Sequence, residues 1–141
     1  QFNKVAGKPP KTDLEEELRL QNLILELIDK GLVNSAHDVS DGGLLVAVLE
    51  CCFAPNQIWG AMLNFDLPQS PSSVYFGEGG GRIVISVEEK NCQVIKETAQ
   101  KYNIEYIELG YVSDKANFIV NKHIIENIEV LYSAWRQGLK I

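Results

Sequence analysis

Apolar residues recur at helical spacing from Leu14 to Ile28. Leu14, Leu18, Leu25 and Ile28 share one face, and Leu20, Leu23, Ile24 and Leu27 widen it beyond the stripe of a surface helix. Thr12-Asp13-Leu14-Glu15 has the pattern of a capping box, and Glu15, Glu16 and Glu17 fill a first turn whose dipole favours anions. Gly31 is placed to end the helix. A stripe this wide implies burial on more than one side, against a further domain or deep within the helix's own. Ahead of it, residues 1–11 (QFNKVAGKPPK) read as a polar linker arm from an upstream domain, so 12–141 forms one domain.

The run LLVAVLECCF, residues 44–53, is apolar almost all round, with Glu50 its single charge. Periodicity cannot decide such a short run. The Ser40-Asp41-Gly42-Gly43 lead-in supplies a cap and a tight turn, which predicts a buried helix from about Gly42, stopped at Ala54-Pro55-Asn56. Residues 58–67 read as a strand, 68–73 as a polar loop, and 76–82 as a glycine-rich turn into a β-branched buried strand at 83–87. Cys92, Ile95, Ala99 and Tyr102 mark a helix over 89–103. Strands at 104–112 and 117–120, joined by a turn at 113–115, and a closing helix over 124–139 complete the chain. Helices and strands interleave. The expected fold is therefore α/β, three-layered α/β/α with a mixed sheet.

Composition changes this picture little. The 141 residues, 45% hydrophobic and 23% charged, suit one globular domain able to bury about 68% of its unfolded surface without a metal or disulfide. A formal charge of -6 argues against nucleic acid or anionic membrane as a partner. Cys51, Cys52 and Cys92 are odd in number, with two adjacent in an apolar run, and read as packed reduced thiols of an intracellular protein. No apolar stretch is long enough to span a bilayer. Gln1 in place of an initiator Met suggests a piece of a longer chain.

Two segments carry candidate chemistry. HDVSDGGL crowds Asp38, Ser40, Asp41 and two glycines at the start of the buried helix, where free amides and the dipole favour an oxyanion. Gly42 and Gly43 would let a phosphate approach the backbone. Asp38 and Asp41 are hard oxygen ligands of the kind that hold Mg2+ or a magnesium-phosphate group. Simple capping by Ser40 or Asp41, with His37 bonded to a neighbouring carbonyl, would explain part of this motif. It leaves Asp38 unexplained.

FGEGGGRIVISV is not a dinucleotide fingerprint: Arg82 replaces the third glycine and the glycines precede a strand. It lacks the Gly-Lys-Ser/Thr of a P-loop. Its amides could still form an anion nest, with Arg82 beside it and Glu78 a metal or hydroxyl contact. A structural turn with Arg82 paired to Glu78 accounts for the residues as well. His37 and His123 are too few for a histidine-rich metal site or a supported serine triad.

Together these segments resemble the aminoimidazole ribonucleotide synthetase superfamily, and more closely the last domain of the phosphoribosylformylglycinamidine synthases. The matching stretches run from VAGKPPKTDLEEELRL through HDVSDGGL, FGEGGGRIVISV and LGYV to YSAWRQGL, in the family's order and spacing. Thiamine-phosphate kinases carry a similar DISDGL.

The resemblance implies a cytoplasmic ligase of de novo purine synthesis. It would use ATP and Mg2+ to convert formylglycinamide ribonucleotide, with glutamine-derived ammonia, to formylglycinamidine ribonucleotide. Partners would be upstream ATP-binding domains of the same chain and a glutaminase domain or subunit. The family's catalytic histidines are absent here, so this piece alone should be inactive, with no catalytic residue of its own. The resemblance assigns phosphate or nucleotide contacts to Asp41, Gly42, Gly43, Gly79, Gly80 and Arg82, metal contacts to Asp38 and Glu78, and a structural role to His37.

One departure stands out. The family turn usually reads Glu-Ser-Gln before a small residue and Arg, whereas here Gly79 and Gly80 follow Glu78 and leave only backbone donors. That fits a non-catalytic, pseudo-symmetric second site. Two alternatives stay open: a ligand-binding domain of a thiamine-phosphate kinase or selenophosphate synthetase, and an interaction domain whose turns are only structural. Convergence of the two turns on one concave surface, with helix N–H groups facing the cleft, would disfavour the last.

Overall fold

The computed structural model describes residues 12–54, 57–66 and 71–138. The predicted linker arm at 1–11 lies outside the described residues, as do 55–56, 67–70 and 139–141. Helix α1 (Leu14–Asp29) is followed by β1 (Ser35–Asp38), α2 (Gly43–Cys52), the short strands β2 (Phe53–Ala54) and β3 (Gln57–Ile58), and β4 (Gly60–Leu63). Helix α3 (Pro71–Phe76), β5 (Ile83–Ser86), a 3-10 turn (Glu89–Asn91) and α4 (Cys92–Lys101) come next. Strands β6 (Gly110–Ser113), β7 (Asn117–Val120) and β8 (Ile124–Asn127) lead into α5 (Ile128–Gln137).

The strands form separate ladders. β1 and β5 make an antiparallel ribbon, β2 and β3 a hairpin, and the rest a four-stranded sheet in the order β6-β4-β7-β8. That sheet is mixed: β4 runs parallel to β7 and antiparallel to β6, and β8 is antiparallel to β7. Helices cover both faces of the ribbon. Val84 turns toward the cluster around α2, while the adjacent Ile85 turns toward Leu23 and Leu27 of α1 and Ile95 and Ala99 of α4. The α/β/α layering is thus built around β1 and β5 by the two-residue period of a strand.

On its other side α2 meets Ala61 and Leu63 of β4 and Phe118 and Val120 of β7. Lying between two β-layers, it has almost no solvent face, which is why its sequence shows no polar stripe. Cys52 is buried there and burial pushes its thiol up to about 11, with Cys51 raised for the same reason. These thiols pack as small apolar groups and are poor nucleophiles.

Several elements differ from the periodicity. α1 is capped by Asp13 rather than Thr12: the Asp13 carboxylate accepts the N–H groups of Glu15 at 3.0 Å and Glu16 at 3.2 Å. Pro71–Phe76 form a short helix that replaces the end of the loop expected over 68–73. The strand expected over 104–112 exists only from Gly110, because the upstream residues Ile104 and Tyr106 pack as irregular chain on the α1–α4 cluster. The closing helix starts at Ile128, not 124. Ile124 and Ile125 pair with β7 instead, and Asn127 caps α5 by accepting from Glu129 and Val130. A β-branched pair beside an open strand edge takes the sheet hydrogen bonds in preference to a helical turn.

Only one face of α1 is covered. Leu20, Leu23 and Leu27 are buried, whereas Leu14, Leu18, Leu25 and Ile28 are exposed. The helix therefore does not lie deep within this domain. Glu26 ties it to α4, accepting from Lys30 at 2.5 Å, from the Tyr102 hydroxyl at 2.6 Å and from Lys101 at 3.4 Å. Lys30, then Tyr102, hold the Glu26 carboxyl down at about 2, against an ordinary 4.5.

The start of α2 sits directly on the end of α3. Gly43 has φ +77°, and a Cβ there would lie 2.6 Å from the carbonyl carbon of Phe76 and 2.9 Å from the Gly77 oxygen. Neither is a movable side-chain end. Gly43→Ala should therefore destabilise the chain by about 2 kcal/mol or more, from backbone strain and overpacking together. Urea denaturation checks this, and an unchanged midpoint would disprove the contact. For Glu26, the folded-state value lies below the unfolded one, so its contribution is present above about pH 4.5 and lost as pH falls toward 2. Glu26→Gln should flatten the acid side of the stability–pH curve within that window, read by thermal unfolding at stepped pH.

Candidate functional site

The site candidates come from two turns at one end of the β1–β5 ribbon. Asp38 closes β1 opposite Ile83, the first residue of β5, and the Val39 N–H donates to the Arg82 carbonyl at 2.9 Å. Buried Val39 anchors the HDVSDGGL turn into the core, which leaves Ser40 and Asp41 exposed. Across from it, the Gly42 N–H donates to Glu78 Oε1 at 2.9 Å. The Asp38–Gly43 and Glu78–Arg82 turns therefore converge.

The mouth of α2 differs from a bare anion site in two ways. Its cap residue is Gly42, with φ +79° and no side-chain cap, and Ser40 contributes only its carbonyl, which accepts from the Gly43 N–H at 3.1 Å. Capping by a Ser40 or Asp41 side chain is not what the structure shows. The carboxylate of Glu78 takes the Gly42 amide in its place. A negatively charged oxygen thus already sits where the helix dipole favours one.

Arg82 is also committed within the chain. Its guanidinium donates to the carbonyls of Gly77 and Gly79, the latter from Nε at 3.3 Å and from Nη2 at 3.4 Å. The expected pairing with Glu78 is replaced by these two backbone acceptors. The charge of Arg82 folds the turn and stays beneath it. Gly79 has open space on its Cβ side, so the outer rim of the turn is bare backbone.

A third wall comes from α1. Thr12, Asp13, Glu16 and Glu17 line a cleft together with Gly79, Gly80 and Gly81, and a Cβ on Gly81 would lie 3.1 Å from Glu17 Oε1. No local pattern marks this wall. The capping residues announce where α1 begins but not that its first turn returns to a glycine turn more than sixty residues later.

Asp13, Glu16 and Glu17 line the cleft on the outer side of the glycine turn, while Asp38 and Asp41 are exposed on the neighbouring turn, whose Gly42 amide Glu78 takes. Arg82 offers the turn its cationic charge from within. A free phosphate would meet this field at a cost, whereas a phosphate carrying a divalent cation would be attracted. Asp38 is a suitable donor, with its side chain 76% exposed. Glu78 can keep the Gly42 bond and still present lone pairs, since a carboxylate accepts at about four positions. Among the described residues no three His, Cys, Asp or Glu side chains converge as a metal group. Mg2+ commonly takes one or two carboxylates and completes its shell with phosphate and water, so the residues fit a shared magnesium-phosphate better than a closed metal centre.

His37 is structural in its contacts. Its Nδ1 lies 2.7 Å from the Asp38 carbonyl and its Nε2 3.3 Å from Glu50 Oε2, while Glu50 Oε1 accepts from Trp135 Nε1 at 3.0 Å. The chain His37–Glu50–Trp135 ties β1 to α2 and α5. His123 belongs to the turn before β8, its N–H donating to the Val120 carbonyl.

Phosphoribosylformylglycinamidine synthase subunit PurL of Thermoanaerobacter pseudethanolicus is 37% identical over 142 residues, covering 99% of this chain and 19% of that protein. The same subunit of Caldanaerobacter subterraneus is also 37% identical, with the same coverage. The chain thus spans about one fifth of the length of the curated relatives it matches. Among solved structures, T. maritima PurL complexed with ADP superposes with a TM-score of 0.75 at 19% identity, over 89% of this chain and 26% of that one. T. maritima PurL complexed with FGAR gives 0.70 at 22% identity, over 82% of this chain and 20% of that one. Both share the fold. A family model described as AIR synthase related protein, C-terminal domain, matches residues 1–123. By that match the chain belongs to the family of C-terminal domains of AIR synthase related proteins.

Proposed function

We propose that this chain is the last domain of a phosphoribosylformylglycinamidine synthase and contributes one wall of a magnesium-nucleotide site. The observation that carries the reading is the convergence of the two turns, joined by the Gly42–Glu78 hydrogen bond beside the exposed Asp38 carboxylate. Similarity to PurL subunits over nearly the whole chain supports the choice among nucleotide-using relatives.

The full-length enzyme would convert formylglycinamide ribonucleotide, ATP and glutamine-derived ammonia to formylglycinamidine ribonucleotide. It would work in the cytoplasm with upstream ATP-binding domains of its own chain and a glutaminase partner. One of the solved neighbours is PurLQS from Thermotoga maritima, consistent with a multi-component assembly. Bound Mg2+ would neutralise phosphate charge at the site. Asp38 and Glu78 are the side chains that would hold it, with Asp41 beside them. The bare backbone of Gly79 and Gly80 would approach the phosphate oxygens. Gly42 and Gly43, expected as phosphate contacts, have their amides on Glu78 and the Ser40 carbonyl and their Cβ sides against Val46 and Phe76, and would only shape the turn. Arg82 would keep the turn in shape by holding the Gly77 and Gly79 carbonyls. None of these groups would carry proton transfer or nucleophilic attack. The domain would bind and orient, and a fragment by itself would be inactive.

A purely structural role for both turns has one observation in its favour: Glu78 and Arg82 are each satisfied inside the chain. Titration of the full-length protein separates the two readings. Asp38→Asn should weaken magnesium-nucleotide binding at this site by about 10- to 100-fold, the range for losing a group that holds or orients a metal. Calorimetry showing unchanged affinity and stoichiometry would remove Asp38 from the site and leave the turns structural. Glu78→Gln should lose part of the same affinity while retaining the Gly42 bond through its amide oxygen.

A further inference from the structure

The uncovered face of α1 has a spacing of its own. Leu14, Leu18, Gln21, Leu25 and Ile28 follow one another at intervals of four, three, four and three residues, which is the a/d seam of a coiled coil. This seam lies roughly 150° around the helix from the face that holds Leu20, Leu23 and Leu27 in the core. Its apolar members are 78%, 59%, 58% and 49% exposed. We propose that the seam receives a second helix, one supplied by the longer polypeptide outside residues 1–141, with an apolar a/d stripe and basic flanking residues.

Charge identifies the partner's chemistry. Glu15, Glu17 and Asp29 occupy e and g positions beside the seam, and no lysine or arginine does. Two copies of α1 would bring like charges together, which disfavours a homodimer through this face. Lysines or arginines on the incoming helix would meet them. Gln21, a polar group at a central d position, sets which register is tolerated.

Length identifies the source. The seam covers two heptads, short of the three to four that sustain an independent coiled coil, so a separate protein would bind weakly. A helix tethered in the same chain acts at millimolar effective concentration and needs no more contact than this. The curated relatives extend for about four fifths of their length beyond the matched part, which leaves ample chain to supply one. Residues 1–11 carry the basic Lys4, Lys8 and Lys11, but Gly7, Pro9 and Pro10 interrupt any helical stripe in that sequence. Glu17 also borders the Gly81 turn, so a helix on the seam would lie next to the candidate site.

The test uses the full-length protein and zero-length carbodiimide cross-linking of carboxylates to amines, read by mass spectrometry. Glu15, Glu17 or Asp29 should link to lysines outside residues 1–141 of the same molecule. Links only to Lys4, Lys8 or Lys11, or links between differently isotope-labelled copies, would overturn the proposal. Leu18→Cys and Leu25→Cys provide the second readout. Maleimide should modify them more than tenfold slower in the native full-length protein than after unfolding, and a smaller slowing would overturn the proposal as well. Neither readout depends on nucleotide binding, so failure here leaves the Asp38 reading standing and the reverse.

Discussion

The contact on which the site depends is the approach of Gly43 to the backbone of Phe76 and Gly77. Two chain segments, more than thirty residues apart in sequence, can meet only because one of them has no side chain at that point and adopts a positive φ. This contact goes with the Gly42–Glu78 hydrogen bond and the seating of α2 against α3, while the β1–β5 pairing brings Asp38 to the glycine turn. A backbone-to-backbone contact of this kind is stiff, since neither partner can swing away as a side-chain terminus would. It holds the two turns in one fixed relation.

Electrostatics at the same place run against a simple anion hole. The amide at the mouth of α2 is held by Glu78, and the one arginine of the turn is spent on carbonyl oxygens beneath it. Acidic residues of α1 close the other side. On the proposed function an uncompensated anion would be repelled here, while a cation-bearing one would find hard oxygen donors near the bare backbone of Gly79. The carboxylate on Gly42 keeps a helix end satisfied that would otherwise leave its first donors open.

Helices α1 and α2 show how burial and pattern can part company. α2 is apolar all round because two β-layers enclose it. α1 is only half apolar, and the domain covers one of its faces and leaves a second, heptad-spaced one in solvent. The width of the α1 stripe implied burial on more than one side, and the domain buries only one. The difference lies in spacing: an a/d seam is a surface for another helix, whereas an unpatterned apolar run is a surface for everything around it.

Local physics was enough to define much of the chain. The helical period placed α1 and α4, the Ser40–Gly43 lead-in placed α2, the β-branched run placed β5, and the glycines of HDVSDGGL and FGEGGGR marked both turns of the candidate site. Those features need only neighbours a few residues away, so the sequence carries them directly. The start of α5 was beyond its reach, because Ile124 and Ile125 suit a helix or a strand and the open edge of β7 decided between them. The partners of Glu78 and Arg82, and the acidic wall from α1, were likewise settled by folding alone. Each depends on a distance between residues remote along the chain, and a linear pattern holds no information about which of its charges will be brought together.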